Sequence, residues 1–331
     1  MTRPPGRATL VVCVTVFTAL APRVDPQEPP RTDLGERRVE SGELDAVRMG
    51  ADRRARIDRA LKTGAYDEAQ ALLLEAVERS PQSPELLRVL GGVFFVTGQY
   101  LDSAIALKKA EALAPLDDRS RFTLAMSYVV MGRGAWARPE LETLARADPR
   151  SPLYPYWLAR LDYDGNQYAA AVNGFQRALQ LDPGYVKAYD NLGLALDALG
   201  RYDEAARSYE EAVRLNRERQ AHSPWPAMNL GILLTRLDRL EEAEPLFRES
   251  AREDTRFAPA HYQLGLLLEK KGRPADAIAE LSQAARLDAH YPEPQYALAR
   301  LYRRAGEGPM ADRALERFLA LKKEKGQAGG R

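Results

Sequence analysis

Residues 192–216 read LGLALDALGRYDEAARSYEEAVRLN, with no histidine, no cysteine and no nucleophile beside a base. The order in the stretch is structural. Leu192, Leu196, Tyr209 and Val213 recur at the spacing of an apolar helix face. Gly200 interrupts them, and glycine leaves a helix at positive φ with little strain. Gly193 and Ala205 are small enough to let two helix axes approach closely where they cross. The stretch predicts two antiparallel helices that turn at Gly200.

The same arrangement repeats along the chain. Gly64, Gly98, Gly132, Asn166 and Gly200 follow at intervals of 34 residues, and after a four-residue offset the series resumes at Asp238, Gly272 and Gly306. Five residues beyond each stands a small side chain: Ala69, Ser103, Ala137, Ala171, Ala205, Ala243, Ala277 and Ala311. Seven residues before each stand Ile57, Gly91, Ala125, Ala159, Gly193, Gly231, Gly265 and Ala299, of which only Ile57 is large. Ser83-Pro84, Ser151-Pro152 and Ser223-Pro224 predict serine N-caps with proline in the first turn. Asp67-Glu68, Asp102, Asp203-Glu204 and Asp276 place acids where second helices begin and the helix dipole favours them. At the offset, Arg219 to His222 are expected to add one turn to a second helix before Ser223-Pro224 restarts the pattern, with a local change in superhelical pitch.

Leu192-Gly193, Gly200, Tyr202, Ala205, Tyr209 and Ala212 stand in the order of the tetratricopeptide repeat, which the sequence resembles. The resemblance implies an all-α fold, a right-handed superhelical solenoid of antiparallel helix pairs. Repeats fall at 50–83, 84–117, 118–151, 152–185, 186–219, 224–257, 258–291 and 292–325. Residues 220–223 form an insertion between the fifth and sixth, and 326–331 a tail expected to be disordered. The first and third repeats depart most from the pattern, with Arg56 where an apolar residue is usual and Gly134 where an aromatic is usual.

The N-terminus is a separate object. Arg3 and Arg7 precede a fourteen-residue uncharged run, ATLVVCVTVFTALA, from Ala8 to Ala21. A basic region followed by an apolar one too short for a comfortable span has the form of an export signal. Ala19 and Ala21 supply the small-x-small cleavage pattern, and Pro22 directly after them hinders the cut. Residues 1–21 are therefore expected to act as a signal peptide or a retained membrane anchor, and 22–49 as a proline-rich, charged linker. The mature chain would be periplasmic, extracellular or membrane-tethered. Cys13 is the only cysteine, so disulfide frameworks and cysteine-ligated zinc are excluded.

The composition, 45% apolar and 29% charged, is globular, and the net charge of +1 gives no overall field to draw nucleic acid. His222, His261 and His290 are the only histidines, and none has a second ligand at helical spacing. No phosphate-cradling glycine loop stands outside the cap and crossing registers. A non-catalytic chain without cofactor or metal is the expectation.

A solenoid of helix pairs presents a concave surface built from its first helices. In the family it resembles, the second, fifth, sixth, ninth, twelfth and thirteenth places of each repeat face that groove. The sixth places are Asn191, Asn229 and Gln263, amides able to hold the backbone of an extended peptide. Such a ladder resembles that of O-linked N-acetylglucosamine transferases. Around it stand Tyr156, Met228, Tyr262 and Tyr296 at fifth places and Arg160, Leu194, Ile232, Leu266 and Arg300 at ninth places, with Lys187, Arg236 and Lys270 flanking them. Aromatic and arginine anchors of this kind dominate binding energy. With the asparagines on a solvent-lined face, changing both Asn191 and Asn229 to alanine is expected to weaken partner capture without moving the thermal midpoint. The reading is a scaffold for an extended protein segment in a cell-envelope or secretory assembly. The alternative is a substrate-recruiting or regulatory subunit of an enzyme such as a glycosyltransferase.

Overall fold

The computed structural model describes residues 49–328 together with Leu44 and Val47, with side chains to 326. The apolar segment Ala8–Ala21 and nearly all of the linker lie outside the described residues. Sixteen helices and no strand are found among the described residues, and they pack in consecutive pairs. The chain divides after Pro115 into two compact units. The first holds α1 (Ala51–Thr63), α2 (Tyr66–Arg79), α3 (Pro84–Val96) and α4 (Tyr100–Leu113). Leu44 and Val47 are buried in its core with Ile57, Leu61 and Leu73. The second unit holds α5 (Asp118–Val130), α6 (Gly134–Ala147), α7 (Leu153–Asp164), α8 (Tyr168–Leu181), α9 (Val186–Ala198) and α10 (Tyr202–Arg219). It continues with α11 (Trp225–Arg236), α12 (Leu240–Glu253), α13 (Ala258–Lys270), α14 (Pro274–Leu287), α15 (Pro292–Arg304) and α16 (Gly308–Ala328), which runs three residues into the stretch expected to be disordered.

All eight turn residues have positive φ, from 58° at Asn166 to 81° at Gly306. At each turn the same two backbone bonds close the helix: at Gly200, Arg201 N donates to Leu196 O at 2.9 Å and Gly200 N to Asp197 O at 2.9 Å. This closure satisfies carbonyls that the helix end would otherwise leave open. The eight small residues that follow are all fully buried. At the crossings, a Cβ on Gly193 would lie 2.5 Å from the Tyr209 ring, and one on Gly231 2.7 Å from Phe247. Large side chains therefore occupy the space that glycine leaves, one helix against its partner.

Two expectations about helix ends need correction. Ser83 does cap α3, accepting from Leu86 N at 3.3 Å. Ser151 and Ser223 do not cap, because Pro152 and Pro224 themselves take the entry position in αR conformation and leave serine one residue outside. An unforeseen cap is Asp117, which accepts from Ser120 N at 2.8 Å at the start of α5. The extra turn at the offset exists, but Asn216 to Arg219 form it, and the chain leaves the helix at Gln220 with φ 49°. The Asn216 side chain pins the connector, accepting from Ser223 N at 3.1 Å and donating to Ser223 O at 3.0 Å. The Arg219 guanidinium lies against Gly184, in the space a Cβ there would take.

Neighbouring repeats are also tied by charge. Glu244 on α12, 14% exposed, accepts from Lys271 at 2.6 Å, Arg248 at 2.9 Å and Arg273 at 3.0 Å. The bonds from Lys271 and Arg248 hold its carboxyl down to about 2, against an ordinary 4.5. A carboxylate lowered in the folded state stabilises that state above its unfolded value and loses the contribution as pH falls through the folded one. The gap in urea midpoint between the wild type and Glu244→Gln should thus be widest near neutral pH and close by about pH 2. A gap that does not change with pH would show the bonds to be electrostatically idle.

Candidate protein-binding surface

All fifteen groove residues expected from the sequence fall on the first helices α7, α9, α11, α13 and α15 of the second unit. Of these, α7, α9, α11 and α13 contact one another in series. The structure sorts the residues by depth. Tyr156, Arg160, Asn191, Met228 and Asn229 are buried, whereas Lys187, Leu194, Ile232, Tyr262, Gln263 and Leu266 are half-buried. Arg236, Lys270, Tyr296 and Arg300 are exposed.

The asparagines are not on a solvent-lined face: Asn191 is 2% exposed and Asn229 3%. Their side chains bond to the preceding first helix, α7 for Asn191 and α9 for Asn229. Asn191 Oδ1 accepts from Arg160 Nη1 at 2.5 Å, and its Nδ2 donates to Lys187 O at 2.8 Å, one turn earlier in α9. Arg160 is itself buried, with Asp164 3.8 Å away. Burial raises the Asp164 carboxyl, against the pull of that arginine. Asn229 Nδ2 donates to the buried Asp190 Oδ1 at 2.9 Å, while its own Oδ1 is buried without a hydrogen-bond partner. These amides join helices. Tyr156 packs likewise between elements, its ring 4.9 Å from Tyr185 and 5.8 Å from Phe175. Tyr262 meets Tyr291 edge-on at 5.2 Å, and burial pushes its hydroxyl above the usual range.

The expected cations are engaged as well. Arg236 pairs with Asp197, Lys270 with Asp238 at 2.8 Å, and Arg300 with Glu269, which also holds Arg304 at 2.9 Å. Each bond runs from one repeat to the repeat before it, so one edge of the surface is a series of ion pairs. Sequence reasoning named the basic members and missed Asp197, Asp238 and Glu269. The available signal was their recurrence 31 to 39 residues before the cations, close to the repeat length. Beside this edge, Leu194, Ile232 and Leu266 occupy equivalent places on α9, α11 and α13 and are only half covered. Among the described residues no three histidine, cysteine, aspartate or glutamate side chains come together as metal ligands would.

The surface is thus an aliphatic strip across three packed helices, with buried amides beneath it and neutralised charges along its edge. Models of the tetratricopeptide repeat match residues 54–118, 159–200, 186–219, 228–292, 262–311 and 296–328, together more than half of the chain. BBSome complex member BBS4 of Bos taurus is 26% identical over 172 residues, 52% of this chain and 26% of that protein. The human protein O-mannosyl-transferase TMTC1 is 30% identical over 152 residues, 44% of this chain and 17% of the transferase. The chain therefore spans about a quarter or less of these two relatives. Among solved structures, yeast Tom70 superposes with a TM-score of 0.61 at 16% identity, covering 90% of this chain and 69% of that one.

Proposed function

Because the chain belongs to the tetratricopeptide repeat family, we propose that it is a non-catalytic scaffold that seats an extended segment of a protein partner across α9, α11 and α13. The observation that carries this is the half-covered strip of Leu194, Ile232 and Leu266 at one place on three consecutive first helices. Burying the exposed part of such side chains is favourable by about 25 cal/mol per Å². An extended chain is the occupant whose alternate side chains can reach successive helices. The buried amides keep the helices in register, and the charged edge keeps the strip open to apolar side chains. The basic and apolar start of the sequence supports a chain that is exported or membrane-tethered, in a cell-envelope or secretory assembly.

Photocrosslinking residues placed at Leu194, Ile232 and Leu266 in the full chain test this in intact source cells, followed by envelope fractionation. A discrete adduct of one protein from these three sites, absent from the convex position Glu211 and recovered with the envelope, is the expected result. Equal labelling from Glu211 would remove the groove, and adducts confined to the cytosolic fraction would remove the export reading. The 30% identity to a mannosyltransferase favours a second reading, a substrate-recruiting arm of a glycosyltransferase. An adduct with such an enzyme would select it.

A further inference from the structure

At the last repeat the surface changes character. Tyr296, Ala299, Arg300, Arg303 and Arg304 on α15 and Leu315 on α16 line a hollow of about 270 Å³. Fifth-place residues in earlier repeats, such as Phe122, Tyr156 and Met228, are buried. Tyr296 is 51% exposed, and its ring meets Phe318, 5.2 Å away. Arg303 and Arg304 expose 65% and 70% of their side chains. Arg300 and Arg304 are anchored on Glu269 and Arg303 on Asp312, each through one guanidinium nitrogen. A guanidinium carries five N–H donors in a fixed fork, so anchoring one nitrogen orients the group without exhausting it. The charge agrees: residues 292–325 contain eight Arg and Lys against five Asp and Glu, in a chain whose net charge is +1.

We propose that this hollow is a subsite for an acidic–aromatic stretch of polypeptide, its carboxylates held by Arg303 and Arg304 and its ring laid on Tyr296 above Ala299 and Leu315. The subsite rests on the reading of the first helices as a peptide surface and adds the chemistry of one end of the ligand. Charge-assisted bonds to guanidinium groups are about twice as strong as neutral ones, and a ring on tyrosine suits the open aromatic face. A cavity of this volume holds about one or two side chains, which argues for a short stretch of peptide over a nucleic-acid duplex.

The test titrates the full chain, carrying methyl-labelled alanine and leucine, with the probe acetyl-Gly-Asp-Phe-Asp-Gly-amide, followed by NMR. The Ala299 and Leu315 methyls should shift in a saturable manner while Leu194 and Leu266 stay still. Affinity should fall about tenfold for Arg303→Gln, for Tyr296→Ala and for the probe with asparagine in place of aspartate. Equal binding of the asparagine probe would overturn the proposal. So would shifts confined to Leu194 and Leu266, which would leave the groove standing without this subsite. Absence of probe binding together with sedimentation on phosphatidylglycerol vesicles, lost in Arg303→Gln, would overturn it in favour of a lipid surface.

Discussion

Asn191→Ala is expected to destabilise the second unit by about 2 kcal/mol, since it removes the hydrogen-bond partner of the buried Arg160 guanidinium and leaves it only the longer contact with Asp164, at 3.8 Å. Arg160 is 8% exposed, and Asn191 Oδ1 is its hydrogen-bond partner at 2.5 Å. Truncation removes that bond and leaves a charged donor in a site water scarcely reaches. Because unfolding of a repeat array need not be two-state, the measurement of choice is amide exchange in α7 and α9. Protection there should fall sharply, while Glu210→Ala, at an exposed position of α10, leaves it unchanged. Replacing both partners, with Arg160→Met and Asn191→Leu, should cost less than the single change, because no buried guanidinium is then left short of a hydrogen-bond acceptor. Unchanged protection in Asn191→Ala would return the residue to the solvent-lined face that the sequence suggested.

The second large effect is one of sign. Helix propensity alone says Gly193→Ala should stabilise by about 1 kcal/mol. The structure says the opposite, because the new Cβ would meet the Tyr209 ring at 2.5 Å, and Tyr209 is itself fully buried. Overpacking of this kind costs about 1–3 kcal/mol, so a net loss of about 1–2 kcal/mol is expected in urea denaturation. The third repeat holds the smaller combination, Ala125 and Leu141, at the equivalent places, both fully buried. Adding Tyr209→Leu to Gly193→Ala should therefore recover part of the loss. A stabilised single variant would mean that the two helices do not approach so closely.

Local causes explain which features could be read in advance. A residue that must leave a helix at positive φ is restricted by its own backbone, so Gly64 through Gly306, with Asn166 and Asp238, marked the turns. The crossing residues were equally legible, since Ala205 and its equivalents must be small whatever their neighbours. Helix starts were less so: Ser151 and Ser83 each precede proline, and only the path of the preceding loop decides which of them caps. The depth of Asn191 and Asn229 was not legible, because a helix 31 to 39 residues away covers or binds each. Long side chains hid the most. The reach of Arg236 to Asp197, or of Arg304 to Glu269, depends on rotamers and on how two helices are set, and neither is written in a spacing.

The ion pairs along the edge also bear on how the array comes apart. In a linear chain of repeats, stability divides into what each repeat contributes alone and what it gains from its neighbour. These bonds belong wholly to the second part. Opening α15 at the C-terminal end would take Arg300 and Arg304 away together and leave the Glu269 carboxylate, 13% exposed, facing an empty seat. The repeat at 292–325 is thereby coupled to the one before it, and the two should loosen together as a block.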